Sequence, residues 1–316
     1  MAATMERGVR MQRESVVAQV LEWYASNARD LPWRRPDATP WGVLVSEVML
    51  QQTPVARVLG PWRDWLDRWP TPTSLARESS GAAVAAWGRL GYPRRALRLY
   101  EAAVAITHRH GGDVPATYEE LLALPGIGDY TAAAVVSFAY GGRHVVVDTN
   151  VRRVLARVEA GVADLRASAA SRRLAEAYLP LDPPTAARWA VASMELGALV
   201  CTARSPRCDA CPVRDVCTWH AAGHPALPEP VRPRQRWDGT DRQCRGTLLA
   251  AVRAAPTISR SSLLAHWADP VQAERCLAAL VAEGLLHGDQ VLSLYAAPTS
   301  VPVGLPRRDP GKQSPT

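Results

Sequence analysis

The sequence predicts a mainly α-helical protein that ends in a small α+β module. Apolar residues recur at helical spacing in one segment after another. Proline- and glycine-containing breaks separate those segments, and convincing alternating strands are missing over the first 220 residues. Val16, Val17, Val20, Leu21 and Tyr24 make the first stripe, and similar stripes recur over Leu44–Leu50, Leu97–Ile106, Thr131–Phe138, Val151–Val158 and Trp189–Leu199. The breaks fall at Pro32–Gly42, Trp69–Thr73 and His110–Pro115. From Gly223 to Pro233 the chain turns proline-rich, as a linker does. Helical patterns follow over Arg245–Ala254, Ser261–Trp267 and Val271–Glu283, and Leu285–Tyr295 reads as a hairpin turning at Gly288-Asp289. Three helices and a terminal hairpin describe a winged-helix-like module. Ala297–Thr316, rich in proline, serine and charge, reads as a disordered tail.

Composition bounds the partners. The 316 residues carry Lys+Arg 37 against Asp+Glu 30, a balance of +7 that fits a polyanionic partner as well as a plainly solvated basic surface. Lys312 is the single lysine, Phe138 the single phenylalanine, and tryptophan reaches 11, a skew that looks like coding bias. The lysine count still matters, because it removes every mechanism that needs a lysine amine in the body of the protein. No apolar run reaches the roughly 20 residues of a membrane span, and no apolar stretch follows the charged amino terminus, so a cytoplasmic location is expected.

Four of the six cysteines fall together as Cys201, Cys208, Cys211 and Cys217, spaced C-x6-C-x2-C-x5-C. Disulfides are disfavoured in a reducing compartment. Structural zinc usually shows paired C-x2-C units, and only one such pair is present. A compact four-cysteine loop following a helix favours a 4Fe–4S cluster over zinc. Arg204, Arg207 and Arg214 are the nearby cations that would offset its charge or meet a phosphate backbone. Cys244 and Cys276 read as small core residues.

Leu124–Ala132 reads LPGIGDYTA between two helical stretches. Gly126 and Gly128 let the chain turn tightly and expose consecutive backbone N–H groups at a helix start, where phosphate oxygens bind well. This is a helix-hairpin-helix pattern, although such a turn can also simply join two helices. Two carboxylates complete the set. Glu47 is a charge among the apolar residues of VLVSEVML, where desolvation would raise its pKa into the range of a general acid; on pattern alone it could equally face solvent. Asp148 follows an apolar run and precedes a helix, so it is a helix cap, a catalytic carboxylate or both. One carboxyl kept protonated beside one kept ionised is the division of labour used in glycoside cleavage.

Taken together, RDLPWR at Arg29–Arg34, SEVMLQQT at Ser46–Thr53, LGYPRRA at Leu90–Ala96, the hairpin, VDTNVRRV at Val147–Val154 and the cysteine loop resemble the helix-hairpin-helix, iron–sulfur DNA glycosylases. Within them the chain most resembles the MutY-type adenine DNA glycosylases, over roughly Val20 to His220. The resemblance implies one 4Fe–4S cluster on the four cysteines and a barrel domain over 31–142 that holds the hairpin. It further implies an iron–sulfur domain from 1–30 and 143–222, a linker at 223–236, the module at 237–297 and the tail at 298–316. Glu47 matches the acid that protonates the flipped adenine. Asp148 matches the carboxylate that stabilises the oxocarbenium-like sugar, and Tyr130 and Asn150 match residues that hydrogen-bond around it. Gln51 and Gln52 match the family's polar insertion and pocket region, and Tyr92 matches an aromatic that wedges beside the lesion. Double-stranded DNA with adenine opposite 8-oxoguanine or guanine is the implied partner, bound by a monomer.

Two branches of the superfamily are separated by single residues. Bifunctional members of the endonuclease III type hold a catalytic lysine where this chain has Tyr130, so base removal without strand cleavage is expected. Thymine mismatch glycosylases lack the acid glutamate, so Glu47 favours adenine. Pro93 departs from the second tyrosine that often follows Tyr92, and Trp237–Ala297 does not resemble the larger Nudix-like domain that many members use to read 8-oxoguanine. A non-catalytic iron–sulfur DNA-binding or redox-sensing protein would keep the hairpin and cysteines but would have no need of Glu47 and Asp148 together.

Overall fold

The computed structural model describes residues 2–226, 237–255 and 257–295, with side chains from residue 7 onward. Most of the linker and the whole of the 298–316 tail, Lys312 included, lie outside the described residues. Contacts divide the chain into two units, Met1–Glu78 with Ala86–Gln235, and Ser79–Ala85 with Arg236–Thr316.

The larger unit is built from helices in two packing groups. In chain order these are α1 (Ala2–Asn27), α2 (Pro40–Leu50), α3 (Val55–Arg68), α4 (Pro72–Ala76) and α5 (Ser80–Trp87), whose last residues belong here, then α6 (Arg94–Arg109), α7 (Tyr118–Leu122), α8 (Asp129–Tyr140), α9 (Thr149–Val158), α10 (Ala169–Ala177), α11 (Pro183–Leu199) and α12 (Thr218–Ala221). One group centres on α2, which packs on α3, α6 and α8. Its start is fixed by Thr39, whose hydroxyl accepts from Gly42 N at 3.1 Å, and by Pro40 in the first turn. Every residue from Trp41 to Met49 is then buried, so α2 is a core helix without a solvent face. The other group packs α1 on α11 and α9 on α10, α11 and α12. Val16 and Val20 of α1 enter the same buried cluster as Val151, Val154 and Leu155 of α9 and Trp189 and Leu196 of α11.

Tryptophan takes the place that phenylalanine usually fills. Trp65 stands edge-on to Trp69 and Trp87, with ring centroids 4.7 and 5.7 Å away, and Trp33 does the same to Trp62 at 5.6 Å. Such pairs add about 1 kcal/mol each beyond the area they bury. The indole N–H groups of Trp65 and Trp69 find no acceptor, a cost of packing rings this large so tightly.

In the smaller unit, α13 (Asp241–Ala254), α14 (Arg260–Leu264) and α15 (Pro270–Ala282) surround Cys244, Leu248, Leu263, Cys276, Leu277 and Leu280, all buried. The expected terminal hairpin is present. His287 and Ser293 exchange both backbone bonds, at 2.8 and 2.9 Å, across a turn at Gly288, and β2 (Val291–Leu292) pairs antiparallel with β1 (Ile258–Ser259). The stretch Ser79–Ala85 completes this unit: the Arg253 guanidinium donates to Val84 O at 3.1 and 3.3 Å, and a Cβ on Gly81 would fall 2.2 Å from Leu294 O. No helix among the described residues is long and apolar enough to cross a membrane.

Candidate active site and cysteine loop

Glu47 sits in the middle of α2, 5 % exposed. Burial pushes its carboxyl up to about 7, with Asp148 adding to the rise, while a hydrogen bond from Tyr130 and the charge of Arg34 oppose it. These interactions bring together residues from four separate segments. Tyr130, in the first turn of α8, is itself raised well above its ordinary range by burial and by the charges of Glu47 and Asp148.

Asp148 is the N-cap of α9 and part of this cluster at once. Its Oδ1 accepts from Asn150 N at 2.8 Å and Val151 N at 2.7 Å, and its Oδ2 accepts from Asn150 Nδ2 at 2.7 Å. Burial raises its pKa, against those three donors and the charge of Arg153, which favour the ionised form. Asn150 is held in turn: Arg153 Nη2 donates to its Oδ1 at 2.7 Å and to Gly197 O at 2.6 Å. Only glycine fits at position 197, because a Cβ there would lie 2.7 Å from that of Asn150.

Sequence reasoning missed the ionic clamp beside this cluster. Glu195, fully buried in α11, accepts from Arg29 Nε at 2.6 Å and Nη2 at 2.7 Å, and from Arg34 Nη1 at 2.8 Å. Burial pushes its carboxyl up, but the two guanidiniums outweigh that and hold it below the usual range. The available signal was a lone glutamate in the apolar run WAVASMELGAL.

Gln51 ends α2 and donates from Nε2 to Thr131 Oγ1 at 3.4 Å. Gln52 follows with φ +54°, and Tyr92, 45 % exposed, has φ +48°. Left-handed backbone is uncommon for residues other than glycine and costs about 1 kcal/mol or more. Pro93, the departure noted above, serves as the N-cap position of α6 with φ −62°. A cleft of about 550 Å³ lies nearby, lined by Val48, Gln51, Arg94, Arg95, Arg98, Leu99, Gly126 and Ile127. The hairpin turns as expected. Gly126 has φ +74°, with its missing Cβ only 2.4 Å from Arg98 Cβ, and Gly128, the N-cap of α8, faces open space. Asp129, at the mouth of this turn, would repel a phosphate, but it is bonded to the Tyr118 hydroxyl and to Arg172 Nη1, the latter at 2.7 Å.

All four cysteines of the loop, none in a disulfide, line one pocket of about 380 Å³ together with Arg157 and Trp219. As thiols, Cys208, Cys211 and Cys217 resist ionisation. Burial and the neighbouring cysteines push Cys208 up, and burial pushes Cys211 up to about 12. The backbone N–H groups of Val213, Trp219 and His220 point the other way, favouring thiolate at Cys211 and Cys217. A metal core that takes four thiolates fits this donor set. Cys208, His220 and His224 also come within 4.8 Å of one another, but that group uses only one of the four cysteines. Two of the three expected cations are otherwise engaged. Arg207 donates to Leu199 O and Arg214 pairs with Asp209 and Asp215. The one that meets a ligand sulfur is the buried Arg157, with Nη1 3.4 Å from Cys201 Sγ.

Comparison with known proteins agrees with this anatomy. Residues 109–138 match the helix-hairpin-helix motif, and residues 201–217 match the iron–sulfur binding domain of endonuclease III. A thermostable thymine-DNA glycosylase of known structure superposes with a TM-score of 0.61 at 25 % identity, over 68 % of this chain and 99 % of that one. Fold, hairpin and cysteine loop together define a DNA glycosylase of the helix-hairpin-helix class with a 4Fe–4S cluster. The adenine DNA glycosylase of Mycobacterium tuberculosis (strain ATCC 25618 / H37Rv) is 51 % identical over 271 residues, 84 % of this chain and 88 % of the relative. That of Homo sapiens is 44 % identical over 207 residues, 63 % of this chain and 38 % of the relative. The chain belongs to the adenine DNA glycosylases.

Proposed function

We propose that this enzyme removes adenine mispaired with 8-oxoguanine or guanine by hydrolysing its N-glycosidic bond, without cutting the strand. The observation that carries the reading is Glu47: a buried carboxyl with a pKa near 7, beside Tyr130 and Asp148. The duplex is bound through the hairpin at Gly126 and Gly128, and the target base leaves the stack. Gln51 and Gln52 take its place, and Tyr92 wedges beside the opposing base.

Protonated Glu47 gives its proton to the flipped adenine, so the bonding pair leaves with a neutral base. Positive charge then develops on the sugar, and Asp148, whose ionised form its three N–H donors favour, stabilises it there. Asn150 orients that carboxylate. Water adds to the sugar carbon and gives up a proton that restores the Glu47 carboxyl, leaving an abasic site. Tyr130 holds the Glu47 carboxyl by a hydrogen bond, and its phenol offers no amine for a Schiff base. The four cysteines would hold the 4Fe–4S cluster, and Arg157, beside Cys201, would offset its charge.

We further propose that the barrel spans 31–142, that the protein works as a monomer, and that it acts in the cytoplasm on the nucleoid. The test is a single-turnover assay on duplexes with A opposite 8-oxoguanine, A opposite G and T opposite G, with alkaline cleavage scored separately. Release of adenine alone, visible only after alkali, is expected. Preferential release of thymine would move the chain to the thymine branch, and a borohydride-trapped covalent complex would overturn the monofunctional reading.

A further inference from the structure

Arg95, in the first turn of α6, has an unusual set of partners. Its Nη1 donates to the carbonyls of Val48 at 2.9 Å, Met49 at 3.1 Å and Gln51 at 2.5 Å. Its Nη2 donates to Thr53 Oγ1 at 3.1 Å, Gly91 O at 3.0 Å and Leu90 O at 3.4 Å. The guanidinium also lies over two rings, 5.2 Å from the Trp87 centroid and 5.5 Å from that of Tyr92. None of the six acceptors is a carboxylate, and Nε is buried without a partner. Burial pushes the group down to about 10.

Capping alone does not account for this arrangement. A cation at the carboxyl end of α2 would need only the carbonyls of Val48, Met49 and Gln51. The other half of the fork is spent on the loop that carries Tyr92. Each loop contains a non-glycine residue in left-handed backbone, Gln52 and Tyr92, which relaxes unless the surroundings hold it. Arg95 bonds to both loops through both ends of its fork, where the Thr53 hydroxyl adds only long bonds to Gln51 O at 3.3 Å and Leu90 O at 3.4 Å, and the planar fork fixes their separation in a way an ammonium group cannot.

We propose that Arg95 is a positioning residue that locks the Gln51-Gln52 loop to the Tyr92 loop, so that the two act on the duplex as one unit. This rests on the reading that both loops enter the duplex.

The test is a pair of double-mutant cycles on single-turnover adenine release. Gln52→Ala, Tyr92→Ala and their combination are compared in the otherwise unchanged holoenzyme and again with Arg95→Lys. In the unchanged protein the double variant is expected to fall short of the product of the single losses by about tenfold, because neither loop works without the other. With Arg95→Lys the losses are expected to multiply within about twofold. Equal coupling in both backgrounds overturns the proposal, since a merely structural role would lower all rates together. Thr53→Val removes one acceptor of the fork, together with the long Thr53 Oγ1–Leu90 O bond, and guards against misfolding of the lysine variant. It is expected to weaken the coupling with absorbance near 400 nm intact; undiminished coupling there overturns the proposal as well. If Gln52→Ala and Tyr92→Ala each leave adenine release unchanged, the loop reading itself fails, and the proposal falls with it.

Discussion

Replacing Glu47 with glutamine should abolish adenine release and at the same time make the protein more stable above neutral pH. The carboxyl moves from an ordinary 4.5 to about 7 because α2 buries it. Each tenfold in proton affinity is worth about 1.4 kcal/mol, so the folded state carries about 3 kcal/mol against ionised Glu47. The sign follows from the direction of the shift. Below about pH 4.5 the group is neutral in both states and contributes nothing. As pH rises from 4.5 to 7 the unfolded chain ionises first, and stability falls; above 7 the full cost is present. Glu47→Gln has no proton to lose. Its advantage over the parent protein should therefore grow from near zero at pH 4.5 to about 3 kcal/mol at pH 8. Urea denaturation of both holoproteins across that range, followed by tryptophan fluorescence, measures it. A stability difference that does not change with pH would refute the account of Glu47 as a desolvated acid. So would a parent enzyme whose single-turnover rate stays flat through pH 7, because only the protonated acid can act.

Asp148→Asn should keep the fold and lose base release by at least about a hundredfold, since asparagine caps a helix as well as aspartate but carries no charge; circular dichroism and single-turnover kinetics separate the two. Gly126→Ala forces a side chain into φ +74° and against Arg98 Cβ, so it should cost about 1–3 kcal/mol and weaken duplex binding in fluorescence anisotropy, without moving the pH profile set by Glu47. Cys211→Ser removes one of four thiolates. It should cut bound iron and the absorbance near 400 nm, and lower the melting temperature of a unit whose loop is otherwise held by short 3-10 turns.

The residues that chemistry marks against their background were readable in the sequence. Glu47 stood out as a charge in an apolar helix, the cysteines by their spacing, and Gly126 by a turn that only glycine makes easily. Tyr130 and Asp148 come from different segments, so only the resemblance of their motifs joined them to Glu47 before the fold brought the three together. Arg95, Arg153, Arg157 and the Arg29–Glu195–Arg34 clamp were not readable. In a chain whose basic residues are all arginine but for Lys312, a buried guanidinium that organises carbonyls looks the same in sequence as a solvated one. Arg157 shows the same blindness at the cysteine loop: proximity in sequence picked out Arg204, Arg207 and Arg214, whereas Arg157 reaches Cys201 from a distant helix. The smaller unit showed its helices and its Gly288 hairpin through local pattern. That Ser79–Ala85 also belongs to it could not be seen, because nothing local in those residues says what they pack on.

The burial of α2 on every side decides where motion occurs in this enzyme. A helix with no solvent face has no room to slide or tilt, so the Glu47 carboxyl at its centre is held in place. Its reorganisation cost was met when the chain folded, and no part of it recurs in each turnover. A nucleotide that is to meet Glu47 would therefore have to travel to a fixed point, past the left-handed Gln52 and Tyr92 that stand just beyond the end of that helix and just before α6.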